Sequence, residues 1–415
     1  MSKLLSLVPK FKLNHKEPRA YLIYFVLVNF CYFLIRLKDW WKYLSVPTMN
    51  PGFADLRAYT AQVSCAEQGI NYMLTICDHF GRNVTFLQVW VPLFKLLHLN
   101  DSKAALIGNM LQLSFFAAIY LLAYKLNINI TKMRNLIPLT LILFSPPIAL
   151  LVERGQTEMF LFVATTICVF CVRNGRNTIT FIILGILSVF KIYPFILIFI
   201  ILGYRPILKK RSDLVFGVNL LALVAVIIIF NKKVIYEMTQ NSISGGFGRT
   251  FGITNIPYLI LKVLNHFRTF QNEISLERVQ IQIIGLLLFC LVVISILISK
   301  LVSNESSNFS PLPNNLFSVI QIIFLSLIFI SYFLVSSFDY RMCYFVPLFL
   351  GYLKISENVK LFSRSYFLVI FILALLWAQY YRITSALAQP FILIYFSFVT
   401  LKIWYSLKNM YFAIR

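Results

Sequence analysis

The sequence predicts an all-α polytopic membrane protein with about 12 passes, each of roughly 20 apolar residues or a shortened version of that length. Three observations carry this prediction. Hydrophobic residues make up 59% of the 415 and charged residues only 13%, against about 45–50% and about 25% in an ordinary soluble domain. Apolar runs recur from residue 21 to residue 400, and mean hydropathy is +0.79. Basic residues gather in the breaks between runs, at Lys125/Lys132/Arg134, Arg173/Arg176, Arg205/Lys209/Lys210/Arg211 and Lys354/Lys360/Arg364. A water-soluble enzyme, a disordered chain and a disulfide scaffold are excluded by this composition.

The net charge of +23, from 38 Lys+Arg and 15 Asp+Glu, would suggest nucleic acid in a soluble protein. Here the basic clusters sort to alternate loops, and most acids fall in the others. The charge therefore reads as a positive-inside bias facing anionic lipid, with no nucleic-acid partner. A plasma or inner membrane location follows, with both termini cytoplasmic.

Taken in order, the run 20–35 follows the basic head Lys3, Lys10, Lys12, Lys16 and Arg19. No small-residue cleavage site comes after it, so it reads as a retained signal anchor. Further spans are expected at 104–124, 135–152, 157–172, 213–230, 279–299, 315–336, 342–353, 365–381 and 389–401. The stretch 177–204 is basic on both flanks, which one pass would put on opposite sides. Two short passes resolve this, turning at Lys191-Ile192-Tyr193-Pro194, where proline interrupts the helical ladder. Lys191 then lies at the apex, in the outer half of the membrane.

Two outer loops are long, 36–103 and 231–278, and the second holds Ser244-Gly245-Gly246-Phe247-Gly248-Arg249. In the first, Trp40, Trp41 and Tyr43 mix with Arg36, Lys38 and Lys42, which suits a helix lying in the headgroup layer. Pro51-Gly52 and Gly69 bracket a helix with Asp55 at its N-terminal end. Cys65 and Cys77 share this loop and can pair if its compartment is oxidising. Cys168 and Cys171 form a C-x-x-C inside an apolar helix without a second ligand pair, which argues against a metal or redox centre.

Four constellations have chemical content. Asp55 is either an N-cap accepting orphan amide hydrogens or a base whose ionisation the helix N-terminus favours and partial burial opposes. Glu153-Arg154-Gly155-Gln156 is either a polar turn with a local ion pair or a substrate contact. In the second reading Gln156 and Glu158 offer partners for sugar hydroxyls, and Arg154 one for phosphate. Lys191, inside an apolar stretch, either snorkels to the headgroups or faces an anion such as a lipid-linked phosphate. Ser337-Phe338-Asp339-Tyr340-Arg341 ends a span, either as an interfacial belt with an Asp–Arg pair or with Arg341 toward phosphate and Tyr340 stacked on a sugar. The sequence has no Walker loop, GxGxxG, HExxH or paired zinc spacing, so it calls for no metal and no cofactor. It also has no soluble nucleotide-sugar domain, so any sugar donor arrives on a lipid.

Four blocks together resemble the GT-C superfamily of lipid-linked-sugar glycosyltransferases. The likeness is to its polyprenyl-phosphomannose-dependent α-1,2-mannosyltransferase family, typified by the mycobacterial phosphatidylinositol-mannoside enzymes. The blocks are Ala54-Asp55-Leu56-Arg57-Ala58-Tyr59; Ser145-Pro146-Pro147 with Glu153-Arg154-Gly155-Gln156; Lys191-Ile192-Tyr193-Pro194; and the stretch around Tyr340-Arg341. The resemblance implies a GT-C-type helical fold, a catalytic Asp at position 55 and a site facing away from the cytoplasm. The partners it implies are a polyprenyl-phosphate sugar, a glycolipid or glycan acceptor and the bilayer. Relatives carry a His near the Tyr340-Arg341 block, and this chain has none there.

The chemistry needs one carboxylate only. Glycosidases use two because their alkoxide leaving group requires an acid, whereas polyprenyl phosphate departs as a stable anion. Asp55 would serve as base, and Lys191, Arg341, Arg154 or Arg57 would hold the phosphate. Glu153, Gln156 and Tyr193 would contact the substrate. Two other classes compete: a transporter or flippase of lipid-linked glycans, which would place ionisable residues within spans and show inverted repeats, and a polysaccharide polymerase or ligase, with its main outer loop later in the chain.

Overall fold

The computed structural model describes residues 18–72, 75–82, 90–191, 194–203, 211–230, 250–251, 316–334, 337–356 and 364–378. The expected spans 279–299 and 389–401, nearly all of the loop 231–278, and Tyr193 lie outside these residues.

The described chain is overwhelmingly helical. Helix α1 (Pro18–Leu37) turns one face inward, with Tyr21, Val28 and Tyr32 buried. Its other face leaves Leu22, Ile23, Val26, Leu27, Phe30 and Phe33 exposed. A continuous apolar stripe of this kind is unstable against water and stable against hydrocarbon. The inward face is fixed by polar tips: Tyr32 donates to Leu143 O at 2.7 Å and Tyr21 to Ile128 O. Two helices whose residues are all described are long and apolar enough to cross a membrane, α1 and the continuous run Asp101–Lys125. The second is a short 3-10 turn leading into α4 (Ala104–Lys125).

Between them lies the first loop. A 3-10 turn, Trp40–Leu44, leaves Trp40 and Tyr43 exposed while Trp41 is buried, the distribution expected of a headgroup-layer segment. Helix α2 (Ala54–Glu67) follows Pro51-Gly52, and α3 (Val91–Leu96) packs against it around Tyr59, Val63, Trp90 and Val91. Cys65 and Cys77 form a disulfide with Cα atoms 6.3 Å apart, fastening the segment 75–82 to the last turn of α2. Non-reducing peptide mapping should recover Cys65 and Cys77 in one crosslinked species; two separately alkylated thiols would contradict this pairing.

The expected span 135–152 is a broken element. Helices α5 (Met133–Leu143) and α6 (Pro146–Arg154) are bent by 49°, and only as one bent unit would they add a third crossing to the two above. The cause is Ser145-Pro146-Pro147: neither proline donates a backbone hydrogen bond, and Ser145 takes the extended conformation that precedes proline (ψ 150). Helix α6 ends in a Schellman turn, with Gln156 N bonded to Leu151 O at 3.2 Å and Gly155 left-handed at φ 63.

Helix α7 (Glu158–Arg173) then runs through the centre, packed on α4, on α8 (Asn177–Phe190) and on α11 (Leu316–Leu334). After α8 the chain breaks at Lys191, which is extended, and resumes at Pro194 into α9 (Phe195–Gly203). Helix α9 packs back on α8 and both meet α10 (Arg211–Phe230). Beyond α11, Ser337–Phe338 pairs antiparallel with Thr250–Phe251, a two-residue ladder that the sequence did not announce. A 3-10 segment, Asp339–Tyr344, leads to α12 (Phe345–Ser356), against which α13 (Arg364–Trp377) packs.

Candidate active site

The site assembles where the N-terminal turn of α2 meets the junction of α6 and α7. Phe53 controls that meeting. It precedes α2 in the left-handed conformation (φ 61), rare for an aromatic residue, and its ring is buried. A Cβ at Gly108 of α4 would stand 2.7 Å from the ring, and one at Gly155 would stand 2.9 Å from it and 3.2 Å from the Leu56 side chain. The Arg36 guanidinium lies 4.2 Å from the ring centroid. The Phe53 amide donates to Glu153 O at 3.1 Å. Two glycines therefore make the slot in which α2 begins.

Asp55 is the second residue of α2, in its first turn, and the N-cap position belongs to Phe53, so the N-cap alternative is corrected. Its carboxylate is taken by side chains: Arg82 Nη1 donates to Oδ1 at 2.5 Å, and the Gln156 amide donates to Oδ2. The side chain is 19% exposed. Burial pushes the Asp55 carboxyl above the ordinary carboxylate range. Arg82 and Arg154 pull it back, and Glu158 adds to the rise.

Arg82 is itself clamped. Its Nε donates to Asp78 Oδ2 at 2.6 Å, its Nη2 donates to Ala54 O at 2.6 Å, and the Phe80 ring lies 5.1 Å away. Burial works against its charge, but Asp78 and Asp55 outweigh burial and hold the guanidinium above its usual value.

The second half of the site is Glu158. It is fully buried at the start of α7, where a helix N-terminus favours negative charge. Lys191 Nζ lies 3.6 Å from Glu158 Oε1, and Arg341 Nε lies 3.5 Å from the same oxygen. Phe190 packs its ring against Phe94 and Phe160, which sets the direction in which Lys191 leaves α8. The 3-10 segment 339–344 packs on α6 and α7, which brings Arg341 in from the other side.

Of the residues expected from sequence, Asp55 and Gln156 are bonded to each other, and Lys191 and Arg341 share Glu158. Glu153 and Arg154 form an ion pair at 2.9 Å. Glu153 also accepts from Met49 N at 2.9 Å, while Arg154 donates to Pro47 O at 3.3 Å and contacts the Met49 sulfur. The local ion pair foreseen for this turn is present. Arg57 points elsewhere: it meets Asp101 at 2.8 Å and Gly52 O at 3.0 Å, and Asp101 also binds His79 and Thr60. The side chains of Tyr193 and Tyr340 lie outside the described residues.

Arg82, Asp78 and Phe53 are the contributors that sequence reasoning missed. The Asp78–Arg82 spacing of four and the nearby Cys77 were the available signals. Compared with protein-family models, curated proteins and solved structures, the chain matches none.

Proposed function

We propose that this chain is an integral-membrane glycosyltransferase of GT-C type, moving a hexose, mannose in the first instance, from a polyprenyl-phosphate carrier to an acceptor hydroxyl. The observation that carries the reading is the meeting of two charge clusters, Asp55–Gln156 and Glu158–Lys191–Arg341. Stretches far apart in sequence supply them, and they meet at the start of α7, where Gln156 and Glu158 are two residues apart. In this reading Asp55 takes the proton of the acceptor hydroxyl as its oxygen bonds the anomeric carbon. The bond from that carbon to the phosphate oxygen breaks, and the polyprenyl phosphate leaves as an anion beside Lys191 and Arg341. Displacement in one step inverts the anomeric centre. Gln156 and Glu153 border the sugar, and the departing anion needs no acid and no metal.

The two helices able to cross a membrane, or three with the bent pair, support a membrane location; the count of about 12 passes and the cell membrane are read from the sequence. The Cys65–Cys77 crosslink supports an oxidising outer side for the loop 36–103, and so cytoplasmic termini. The test is transfer by the purified protein from a panel of polyprenyl-phosphate sugars to glycolipid acceptors. One donor is expected to support transfer with inversion. No transfer from any donor, together with passage of labelled lipid-linked glycan across liposome membranes, would replace this reading with the transporter.

A further inference from the structure

Arg82 stands outside every motif that the proposed reaction uses, yet it makes the 2.5 Å contact with the carboxylate on which that reaction depends. Three features show that this contact is built rather than incidental. The Arg82 side chain is 19% exposed and its guanidinium uses all three nitrogens, Nε toward Asp78, Nη1 toward Asp55 and Nη2 toward Ala54 O, while the main-chain amide also donates to Asp78. The Asp78 side chain that orients it is only 5% exposed. The segment that carries both is crosslinked through Cys77 to Cys65, on the helix that carries Asp55. Asp78 takes the fork, Nε at 2.6 Å and Nη2 at 3.2 Å, and this fixes the plane from which Nη1 reaches one Asp55 oxygen; a lysine has no such plane.

We infer that Arg82 is the positioning residue of this site: its Nη1, aimed by Asp78 and Ala54 O, holds one oxygen of the Asp55 carboxylate while Gln156 holds the other, ready for the acceptor hydroxyl. This role rests on the proposed reaction, but the hold on Asp55 does not. Among the described residues, the charged groups that face Asp55 are few. From α6 come Glu153 and Arg154, from α7 Glu158, and from the segment 75–82 Arg82 with Asp78 behind it. Lys95 of α3 turns instead to Ala66 O at the far end of α2, and Asp101 turns to Arg57. Of the two cations among the described residues that act on Asp55, Arg82 and Arg154, only Arg82 is hydrogen-bonded to it, so its removal should be felt as a change in proton affinity.

The sign follows directly. Arg82 favours the charged form of Asp55, so without it the carboxylate holds its proton to higher pH. In Arg82→Gln the acid limb of kcat/KM against pH should move up by about one unit, a loss of about tenfold on that limb, with most activity regained at alkaline pH. Arg82→Lys, which keeps the cation and loses the planar fork on Asp78, should give the smaller shift and serves if Arg82→Gln does not fold. A residue needed only for structure would lower activity equally at every pH.

The closing experiment is infrared titration of the full-length protein in lipid nanodiscs, following the carboxyl band that Asp55→Asn removes. A midpoint raised in Arg82→Gln, or in Arg82→Lys where the first does not fold, supports the inference even if no sugar is transferred, in which case only the proposed reaction fails. An unmoved midpoint and an unmoved acid limb in an active enzyme would overturn the inference and leave the proposed reaction standing.

Discussion

Asp55→Asn is expected to lower sugar transfer by about 10²–10⁴-fold, the range lost when a positioned general base is removed. The asparagine keeps the shape of the side chain and one oxygen to accept from Arg82 or Gln156, so the slot around Phe53 is not disturbed. It cannot take a proton from an alcohol. Stability should move the other way. Burial raises the carboxyl above its ordinary range, so the stabilising contribution of Asp55 is fully present below the unfolded carboxylate pKa. That contribution is lost as pH rises through the folded value. Above the folded value, where the carboxylate is ionised, the neutral variant should unfold at or above the wild-type temperature. Transfer rate and thermal unfolding measured on one preparation check both halves. A fully active Asp55→Asn protein would remove the base from the mechanism, and an inactive one that melts far lower would show a structural role instead.

Gly155→Ala should produce the largest loss of stability among conservative substitutions near the site. Two costs add. The left-handed backbone at φ 63 disfavours any Cβ by about 1–2 kcal/mol, and the new methyl meets the Phe53 ring at 2.9 Å and the Leu56 side chain at 3.2 Å. Overpacking of this kind costs about 1–3 kcal/mol. Gly175→Ala is the matched control: that residue has φ 69 in an equivalent turn, with nothing within 4 Å of an added Cβ. It should show the conformational cost alone. Thermal unfolding in detergent compares the two, and equal losses would mean that the Phe53 slot is not tight. Because Gly155 sets the direction of Gln156, the same variant should also lower transfer by more than its stability loss explains.

Much of the site's local geometry was legible because it depends on local signals. Pro51-Gly52 and Gly69 bracket α2, Pro194 breaks the chain after Lys191, and Gly155 turns it before Gln156. Each acts through the backbone of its own few residues, so spacing alone reveals it. The bend at Ser145-Pro146-Pro147 was also written locally and was read as part of a straight span, because hydropathy is continuous across it. What spacing does not carry is who meets whom. Lys191 and Arg341 both looked like phosphate ligands, and both reach Glu158, a contact made by the packing of the segment 339–344 and of Phe190. Arg82 was hidden for the same reason: it reaches Asp55 through a crosslinked loop. Phe53 was overlooked because an aromatic residue gives no cue that it will adopt a left-handed turn.

Phe53, Gly108 and Gly155 occupy one volume between them, although they come from three distant parts of the chain. A larger side chain at either glycine is compatible only with a smaller one at 53, so the three positions must change together in any lineage or redesign. Any redesign of the start of α2 should therefore vary the trio as one unit, because a larger residue at either glycine alone displaces the helix that carries Asp55.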